Sequence, residues 1–413
     1  MKAYKILYLI ILGVAEIGCS SDRQEDGLPC IDVTKNFPEK EIILTNIADV
    51  TYVHLNSQNP DYLYRGGIKY ITENSIVVVD VSSGNILFFS KDGNPKSRFN
   101  HYGQGPGEYS STNFFITYDE KEDDLYVIDP GHFTIPEHST LVFSSTGEYK
   151  RTIYLPSSPE PLVDFDDHSL FVYDMQYQYK KIRNKETDLS SQLMDSSIYR
   201  ISKKTGKVLD YVEIPINTVD IIEYGNEGFT SKKLYESRIK NCAAGLFLCL
   251  PETDTVFLYG KDKTLTPVIC KTPLASNLNP ILVLGGFLDA GNYQYITVEP
   301  TININEIYDL YIKKGYVPKD HNKSLVKHYI RDKKTDKIFH QKISLPDYNG
   351  KDFFIESQKT YFTGKETIFC LGLDIYELKQ AEKENKLSGK LKEFVSTLNE
   401  NEDNNVYILA TFK

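Results

Sequence analysis

Residues 125–129 have the sequence LYVID, a short apolar run that ends in an acidic residue. Such a run is typical of a buried β-strand. Similar runs recur along the chain, at residues 76–80 (IVVVD), 170–174 (LFVYD), 246–250 (LFLCL), 295–299 (YITVE) and 368–372 (IFCLG). From the end of one run to the end of the next, the spacings are 49, 45, 76, 49 and 73 residues. Three spacings match the repeat of about 40–50 residues of a propeller blade, and the other two equal a repeat plus an insertion.

A second strand and a tight turn follow these runs. The turn sequences at residues 91–94 (KDGN), 145–148 (STGE) and 203–206 (KKTG) supply residues that tolerate the positive φ of a hairpin turn. An outer strand comes next, for example at residues 149–155 (YKRTIYL). The copies therefore align strand by strand as four-stranded antiparallel units.

The two ends of the chain are predicted to close the structure. Residues 405–413 (NVYILATFK) form an alternating strand, and residues 50–55 (VTYVHL) are its predicted partner. Six sheets require a closed ring because an open stack would expose edges and apolar faces. A sandwich or a parallel β-helix fits less well, since neither calls for this period. The predicted fold is all-β, a single six-bladed β-propeller over residues 41–413.

One segment near the C-terminus, residues 377–399, is predicted to be helical. Its apolar residues follow one another at steps of four, three and four and so share one helix face; they are Leu387, Leu391, Phe394 and Leu398. Gly389 is placed to divide this helix in two.

The N-terminal residues indicate export. Lys2 and Lys5 precede the apolar run 6–15, which is about half of the roughly 20 residues that span a bilayer, so residues 1–18 read as a signal peptide. The sequence that follows, IGCS at residues 17–20, resembles a lipobox and predicts lipidation of Cys19; an ordinary cleaved signal is the alternative. The polar residues 19–40 are predicted to form a flexible tether. Their acidic residues resemble the signal that sends lipoproteins to the outer membrane, on either its periplasmic or its exposed side.

Composition narrows the class of protein. The 413 residues are 40% hydrophobic and 25% charged, which excludes disordered, collagen-like and polytopic membrane proteins. The 47 basic and 57 acidic residues give a net charge of −10, which argues against a nucleic-acid partner.

The cysteines do not predict a disulfide framework. Besides Cys19 there are five, an odd number, and they contain no C-x-x-C pair. Cys249, Cys270 and Cys370 lie in apolar runs, which favours buried thiols. A disulfide between Cys242 and Cys249 is the alternative.

Residues 103–109 have the sequence GQGPGEY, which is followed by a strand and then by LYVID. This segment, the opening residues 47–55 (IADVTYVHL), residues 253–257 (TDTVF) and the closing strand resemble the six-bladed β-propeller lipoproteins of Gram-negative bacteria, distant relatives of NHL-repeat propellers. The resemblance covers residues 42–413 and implies a fold and a cell-envelope location. It carries no catalytic residues, because the group is largely without established function.

The GQGPGEY segment, called here the signature loop, differs from a phosphate-binding loop because it leads into a strand and Pro106 removes an N–H. Flexible glycines and an acceptor carboxylate favour a structural clasp between blades over ligand contact. The residues concerned are Gly103, Gly105, Pro106, Gly107 and Glu108.

Two groups of residues are candidates for ligand or metal binding. Three aspartates end equivalent strands, namely Asp80, Asp129 and Asp174, so closure of the ring would place them on one face. There they would hold Ca²⁺ or a polyhydroxy ligand. The simpler alternative is that each of them caps a turn. His132 and His138 share one loop and are potential Zn²⁺ ligands, although their spacing matches no metalloprotease motif.

Long insertions give the strongest functional indication. They occupy residues 175–197, 217–240 and 300–324 and, with the helical segment, emerge on one face of the ring. Long loops on a rigid scaffold are where binding residues usually lie. We therefore expect a binding module for a glycan, a peptide or an envelope protein. The alternative is a lyase or hydrolase that uses a divalent metal on the same face; otherwise no cofactor is expected.

Overall fold

The computed structural model of the chain describes residues 27–112, 115–128, 138–155, 162–174, 196–215, 222–225, 228–233, 239–250, 253–300, 302–303, 326–399 and 404–413. Four elements precede the first blade: β1 (Cys30–Asp32), β2 (Glu39–Ile43), α1 (Leu44–Ile47) and β3 (Ala48–His54).

The predicted six-bladed propeller is confirmed. Blade 1 contains β4 (Gly66–Ile71), β5 (Ser75–Asp80), β6 (Ile86–Ser90) and β7 (Pro95–Phe99), and blade 2 contains β8 (Phe115–Asp119), β9 (Asp124–Ile128), β10 (His138–Phe143) and β11 (Tyr149–Leu155). Blade 3 contains β12 (Leu162–Asp164), β13 (Ser169–Tyr173), β14 (Ile198–Ser202) and β15 (Val208–Tyr211). In each blade the strands pair antiparallel in chain order, from the axis outward.

Two short strands, β16 (Ile222–Gly225) and β17 (Gly228–Lys233), lie between blades 3 and 4. Blade 4 then contains β18 (Ile239–Cys242), β19 (Gly245–Leu248), β20 (Thr255–Gly260) and β21 (Leu265–Thr272). Blade 5 contains β22 (Leu282–Ala290), β23 (Tyr293–Pro300), β25 (Lys327–Asp332) and β26 (Ile338–Ser344), with β24 (Ile302–Asn303) in its long internal connection and β27 (Asp352–Phe353) paired to β26.

Blade 6 joins both ends of the chain. It contains β28 (Thr360–Phe362), β29 (Thr367–Leu373), β30 (Val406–Phe412) and, as its outer strand, β3. Strands β3 and β30 are antiparallel, with Ala48 opposite Phe412 and His54 opposite Val406. This pairing is the closure that the terminal strands predict.

The core of the protein consists of apolar clusters between neighbouring blades. One cluster, for example, joins Val77 and Phe88 of blade 1 to Leu125 and Phe143 of blade 2. Burial of one such side chain contributes about 1.5–3 kcal/mol. Because both faces of a blade are covered in this way, the second strands read as continuous apolar runs rather than as alternating ones.

The turns between third and fourth strands have the positive φ that their sequences predict. In blades 1 to 3 the residue is a glycine, and in blades 4 and 5 it is Lys263 (φ 66°) and Asp336 (φ 59°). At Gly93 the backbone also runs close to blade 6, where a Cβ atom would lie 2.1 Å from the carbonyl oxygen of His54.

The inner ring departs from sixfold regularity. The inner strands β4, β8, β12, β18 and β28 contact one another in a closed circle. Strand β22 of blade 5 instead contacts the short helical turn Ser357–Lys359. Gly286 in β22 makes room for it, because a Cβ there would lie 2.5 Å from the Ser357 hydroxyl oxygen.

The predicted flexible tether over residues 19–40 is wrong for residues 27–40. Strand β1 pairs in parallel with β21, and β2 pairs in parallel with β26. Ile31 and Val33 are buried between blades 4 and 5, and this apolar burial offsets the cost of ordering a polar segment. Residues 19–26, including Cys19, lie outside the described residues.

A disulfide joins Cys30 to Cys270, so the prediction of a buried thiol at Cys270 is wrong. Cys249 and Cys370 are buried free thiols, as expected, and Cys242 is a half-buried free thiol that does not bridge to Cys249.

The predicted helical segment is confirmed and is divided in two. Its helices are α2 (Ile375–Lys383) and α3 (Gly389–Ser396), and Gly389, with φ 52°, begins the second. Leu378 and Leu391 are fully buried and pack in the cluster that contains Ile408 of blade 6. No helix in the described part of the chain is long and apolar enough to cross a membrane.

Candidate functional site

The strand order divides the ring into two faces. Connections between second and third strands, and between blades, open on one face, which we call the insertion face. Turns between first and second strands, and between third and fourth strands, open on the opposite face, which we call the turn face. This assignment follows from the antiparallel pairing within each blade.

Two of the predicted insertions meet on the insertion face. Strand β17, in the connection between blades 3 and 4, pairs antiparallel with β24, in the long connection of blade 5. Lys232 lies opposite Asn303, and Lys233 lies opposite Ile302. Strands β16 and β17 form a hairpin, so three strands from two distant insertions make one small sheet. Residues 175–195 and most of residues 301–325 lie outside the described residues.

The signature loop connects blades 1 and 2. The N–H of Gly105 donates to Glu108 Oε2 at 2.6 Å, and the N–H of Glu108 donates to the carbonyl oxygen of Gly105 at 3.1 Å. Gly107 has φ 77°, and a Cβ on Gly103 would lie 2.0 Å from Glu108 Oε2. Pro106 is exposed at the tip. The glycines therefore permit a turn that the Glu108 carboxylate holds closed.

The residue after this turn links the two blades. Tyr109 is fully buried, donates from its hydroxyl to the carbonyl oxygen of Gly84 at 2.7 Å and accepts from the N–H of His101 at 2.9 Å. The ring of His101 stacks on Phe143 of blade 2 with centroids 4.9 Å apart. These contacts support the predicted clasp between blades.

Asp80 is engaged by its own turn. Its Oδ1 accepts from the backbone N–H groups of Arg65 and Ser82, each at 3.0 Å, and its Oδ2 accepts from the Ser83 hydroxyl. Burial acts to raise the pKa of Asp80, but the hydrogen bonds from Ser83, Ser82 and Arg65 outweigh it and lower the pKa. These are the contacts of a turn cap.

The other members of the two candidate groups are not brought together in the described residues. Asp174 is buried at the end of β13. His138 begins β10, opposite Leu155, but its side chain is not among the described atoms. Asp129 and His132 lie outside the described residues. Within the residues described, no three His, Cys, Asp or Glu side chains are placed to hold a metal ion.

One cavity opens on the turn face. Its volume is about 870 Å³, and it is lined by first-to-second turns of blades 1, 2, 3, 4 and 6. A narrower space of about 250 Å³, lined by the inner strands, shares Tyr70, Asn241 and Phe362 with it. We call the two together the axial cavity, because they follow the ring of inner strands.

A charged cluster lies in the wall of the axial cavity. The Nζ of Lys203 lies 2.5 Å from Asp119 Oδ2 and 2.7 Å from Asp164 Oδ1. The side chains of Lys203 and Asp119 are only 6% and 7% exposed, whereas that of Asp164 is 27% exposed. The cluster therefore has two carboxylates and one ammonium group, and Asp164 is its member nearest to solvent.

Burial and charge act differently on the members of this cluster. Burial raises the pKa of Asp164 to about 6; the attraction of Lys203 opposes the rise and the charge of Asp119 adds to it. For Lys203, burial acts to lower the pKa, but Asp164 and Asp119 outweigh it and raise the pKa. Lys203 thus keeps its charge, and Asp164 is the group that titrates near neutral pH.

Two further side chains contact or influence Asp164. The amide Nδ2 of Asn241 donates to the backbone carbonyl oxygen of Asp164 at 3.1 Å, while the buried Oδ1 of Asn241 has no hydrogen-bond partner. Burial, together with the charges of Asp164 and Asp119, raises the pKa of the Tyr70 hydroxyl. Asn241 thus links blade 4 to the backbone of blade 3 at the cavity wall.

No pattern in the sequence predicts this cluster. Asp119, Asp164 and Lys203 come from blades 2 and 3 and follow no motif, although Lys203 is the first residue of a predicted turn. The one sequence signal for the cluster was that these residues lie at or near strand ends that open on the turn face. The long insertions instead predicted a functional site on the opposite face.

Known proteins share the fold of this chain. A family model described as a 6-bladed beta-propeller, DUF5128, matches residues 20–243, just over half of the chain. None of the curated proteins matches the chain. Among solved structures, a "Putative exported protein" of Bacteroides fragilis has a TM-score of 0.59 and 14% identity, and the match covers 93% of this chain and 99% of that one. A duf4221 family member of Bacteroides vulgatus has a TM-score of 0.45 and 13% identity, with 89% and 97% covered. The chain therefore belongs to the DUF5128 family of six-bladed β-propellers.

Proposed function

We propose that this chain is an exported propeller of the cell envelope, anchored by a lipid on Cys19, that binds a glycan, a peptide or an envelope protein through its insertion face. The observation that carries the binding proposal is the pairing of β17 with β24. Insertions that lie some 70 residues apart in the sequence would otherwise be independent loops. Joined in one sheet, they form a continuous surface on a rigid scaffold, which is where binding residues concentrate.

The proposed location rests on the N-terminal sequence. A basic residue pair, a short apolar run and a lipobox-like IGCS segment precede the first described residue. The Bacteroides fragilis protein of similar fold carries the description exported, which agrees with this location. Acidic residues after Cys19 favour the outer membrane.

The location is tested by mass spectrometry of the protein from a Gram-negative host. We expect an N-terminal peptide that begins at Cys19 and carries a diacylglycerol, and a Cys19→Ser variant that leaves the membrane fraction. A soluble wild-type protein cleaved elsewhere would contradict lipidation but would leave the binding proposal standing.

The binding proposal is tested by trimming the insertions. Replacing residues 216–238 and 301–325 by short Gly-Ser linkers removes the small sheet and leaves the blades intact. We expect binding to glycan and peptide arrays to be lost while the melting temperature stays close to that of the wild type. Lys334→Ala, in an exposed turn of the opposite face, is the matched control and should bind normally. Equal binding by the trimmed and intact proteins would overturn the proposal.

A further inference from the structure

The turn between β26 and β27 contains the one Asn-Gly pair of the sequence, Asn349 followed by Gly350. The N–H of Lys351 donates to the carbonyl oxygen of Tyr348 at 3.4 Å, which closes a β-turn with Asn349 and Gly350 at its centre. Gly350 has φ 73°, the conformation of the second central residue of a type II turn. Both central residues are exposed, so water reaches the tip of the turn.

The side-chain amide of Asn349 and the backbone nitrogen of Gly350 are not held by the surrounding protein. The amide makes no hydrogen bond within the described part of the chain, and the Gly350 N–H donates none there either. A Cβ atom on Gly350 would meet no atom within 4 Å. Because glycine has no side chain, nothing obstructs the approach of its nitrogen to the side-chain carbon of the residue before it.

The backbone on either side of the tip is fixed, in contrast to the tip itself. The N–H of Asn349 donates to the carbonyl oxygen of Lys386 at 2.8 Å, and the buried Tyr348 forms an isolated β-bridge with Leu387. These two contacts attach the turn to the connection between α2 and α3. Beyond the turn, β27 pairs with β26. A longer main chain at the tip would therefore disturb both attachments.

We propose that Asn349 is a site of spontaneous deamidation in the folded protein. The Gly350 nitrogen forms a bond to Asn349 Cγ, and the bond from Cγ to Nδ2 breaks, so that ammonia leaves with the proton of the backbone N–H. Water then opens the resulting cyclic imide at either of its carbonyl groups. The product at position 349 is an aspartate or an isoaspartate, and water is the only co-reactant. This reaction is independent of the binding function proposed above.

Asn74 provides an internal comparison, because it is also exposed and is also followed by a small residue, Ser75. Its amide Nδ2 donates to Glu120 Oε2 at 3.2 Å, and the N–H of Ser75 donates to the hydroxyl oxygen of Thr72 at 3.0 Å. This pair must first lose both hydrogen bonds, which should slow its reaction about tenfold or more. The fold therefore distinguishes two sites whose exposure alone does not.

The proposal is tested by incubating the purified full-length protein at mildly alkaline pH and mapping its peptides by mass spectrometry. We expect the peptide that contains Asn349 to gain the mass difference between an amide and a carboxyl group and to separate into aspartate and isoaspartate forms. The peptide that contains Asn74 should stay unchanged over the same period, whereas both should react in urea. The proposal would be overturned by an Asn349 still intact after about ten times the period that converts it completely in urea.

Variants locate the reaction. Asn349→Gln keeps the amide but would have to close a larger and less favourable ring, so the folded variant should show no mass gain at this turn. Asn74→Gln is the matched control and should react at Asn349 as fast as the wild type does. An equal release of ammonia by the wild type and by Asn349→Gln would contradict the assigned site.

The melting temperature reports the effect of the reaction on the fold. Isoaspartate inserts a methylene group into the main chain between the Leu387 bridge and β27, so the converted wild type should melt at a lower temperature than the fresh protein. The melting temperature of Asn349→Gln should not change on incubation. A converted protein that melts as the fresh one does would contradict this coupling to the helices. Proteins with trimmed insertions should react equally, which separates failure of this proposal from failure of the proposed function.

Discussion

The hydroxyl of Tyr109 donates a hydrogen bond to the carbonyl oxygen of Gly84 at 2.7 Å, and this bond ties the connection between blades 1 and 2 back to a turn of blade 1. Tyr109→Phe removes it and leaves a buried carbonyl oxygen unpaired. The free energy of unfolding should fall by about 1–3 kcal/mol. Denaturant unfolding measures the change. Tyr102→Phe, at a residue that is 55% exposed, is the control and should be neutral. Equal stability of both variants would refute the clasp.

The disulfide predicts a definite thiol count. In unfolded, unreduced protein that carries Cys19→Ser, thiol titration should find Cys242, Cys249 and Cys370 only, and reduction should add Cys30 and Cys270. Because the bond encloses 240 residues of sequence, its loss should lower the free energy of unfolding by about 2–5 kcal/mol. The measurement compares the melting temperatures of the wild type and a Cys30→Ser, Cys270→Ser double variant. Five free thiols before reduction would contradict the bond.

Asp164 should make stability depend on pH. Burial raises its pKa from the ordinary 3.8 to about 6. Because the folded protein favours the protonated form, this contribution to stability is present at low pH and is lost as the pH rises through about 6. Asp164→Asn cannot titrate. The melting temperature of the wild type minus that of this variant should therefore fall between about pH 4 and pH 7.

The opposite trend would mean that the attraction of Lys203 exceeds the effect of burial. Asp262→Asn is the control for this experiment. A side-chain hydrogen bond from Thr264 lowers the pKa of the exposed Asp262, so any slope it gives should have the opposite sign.

Equivalent turns of different blades should respond in opposite ways to substitution. A Cβ on Gly206 (φ 71°) would lie 2.6 Å from the carbonyl oxygen of Tyr154, so Gly206→Ala should destabilise the protein by about 1–3 kcal/mol. Lys263 occupies the same turn position in blade 4 with φ 66°. Lys263→Gly should be neutral or stabilising by less than about 1 kcal/mol, since glycine adopts this conformation without strain. Thermal unfolding measures both, and stabilisation by Gly206→Ala would contradict the expected strain.

The sequence predicts the blades because each one is encoded locally. An apolar run such as residues 125–129 forms a second strand, and the turn before Glu148 needs a residue that accepts positive φ, which Gly147 provides. Both signals lie within a few residues. The closing pair of β3 and β30 is a long-range contact, yet it too is predictable, because a ring of sheets leaves the two terminal strands as each other's partners.

Other features depend on contacts that local sequence does not encode. Strand β1 is three residues long, and nothing near Cys30 indicates that its partner is Cys270. The cluster around Lys203 joins a turn of blade 2 to turns of blade 3 and exists only after the blades have packed. The contact of β22 with the helical turn Ser357–Lys359 joins residues some 70 positions apart in the sequence.

The covalent attachment of Cys30 to the rim of blade 4 limits how far the protein can stand from a membrane. With a lipid on Cys19, as proposed, eleven residues span the distance from anchor to rim, and a fully extended chain reaches at most about 40 Å over that length. This segment also ends at the side of the ring rather than at either face. Such an attachment would hold the edge of the ring close to the bilayer. Solutes could then approach both openings of the ring from the side.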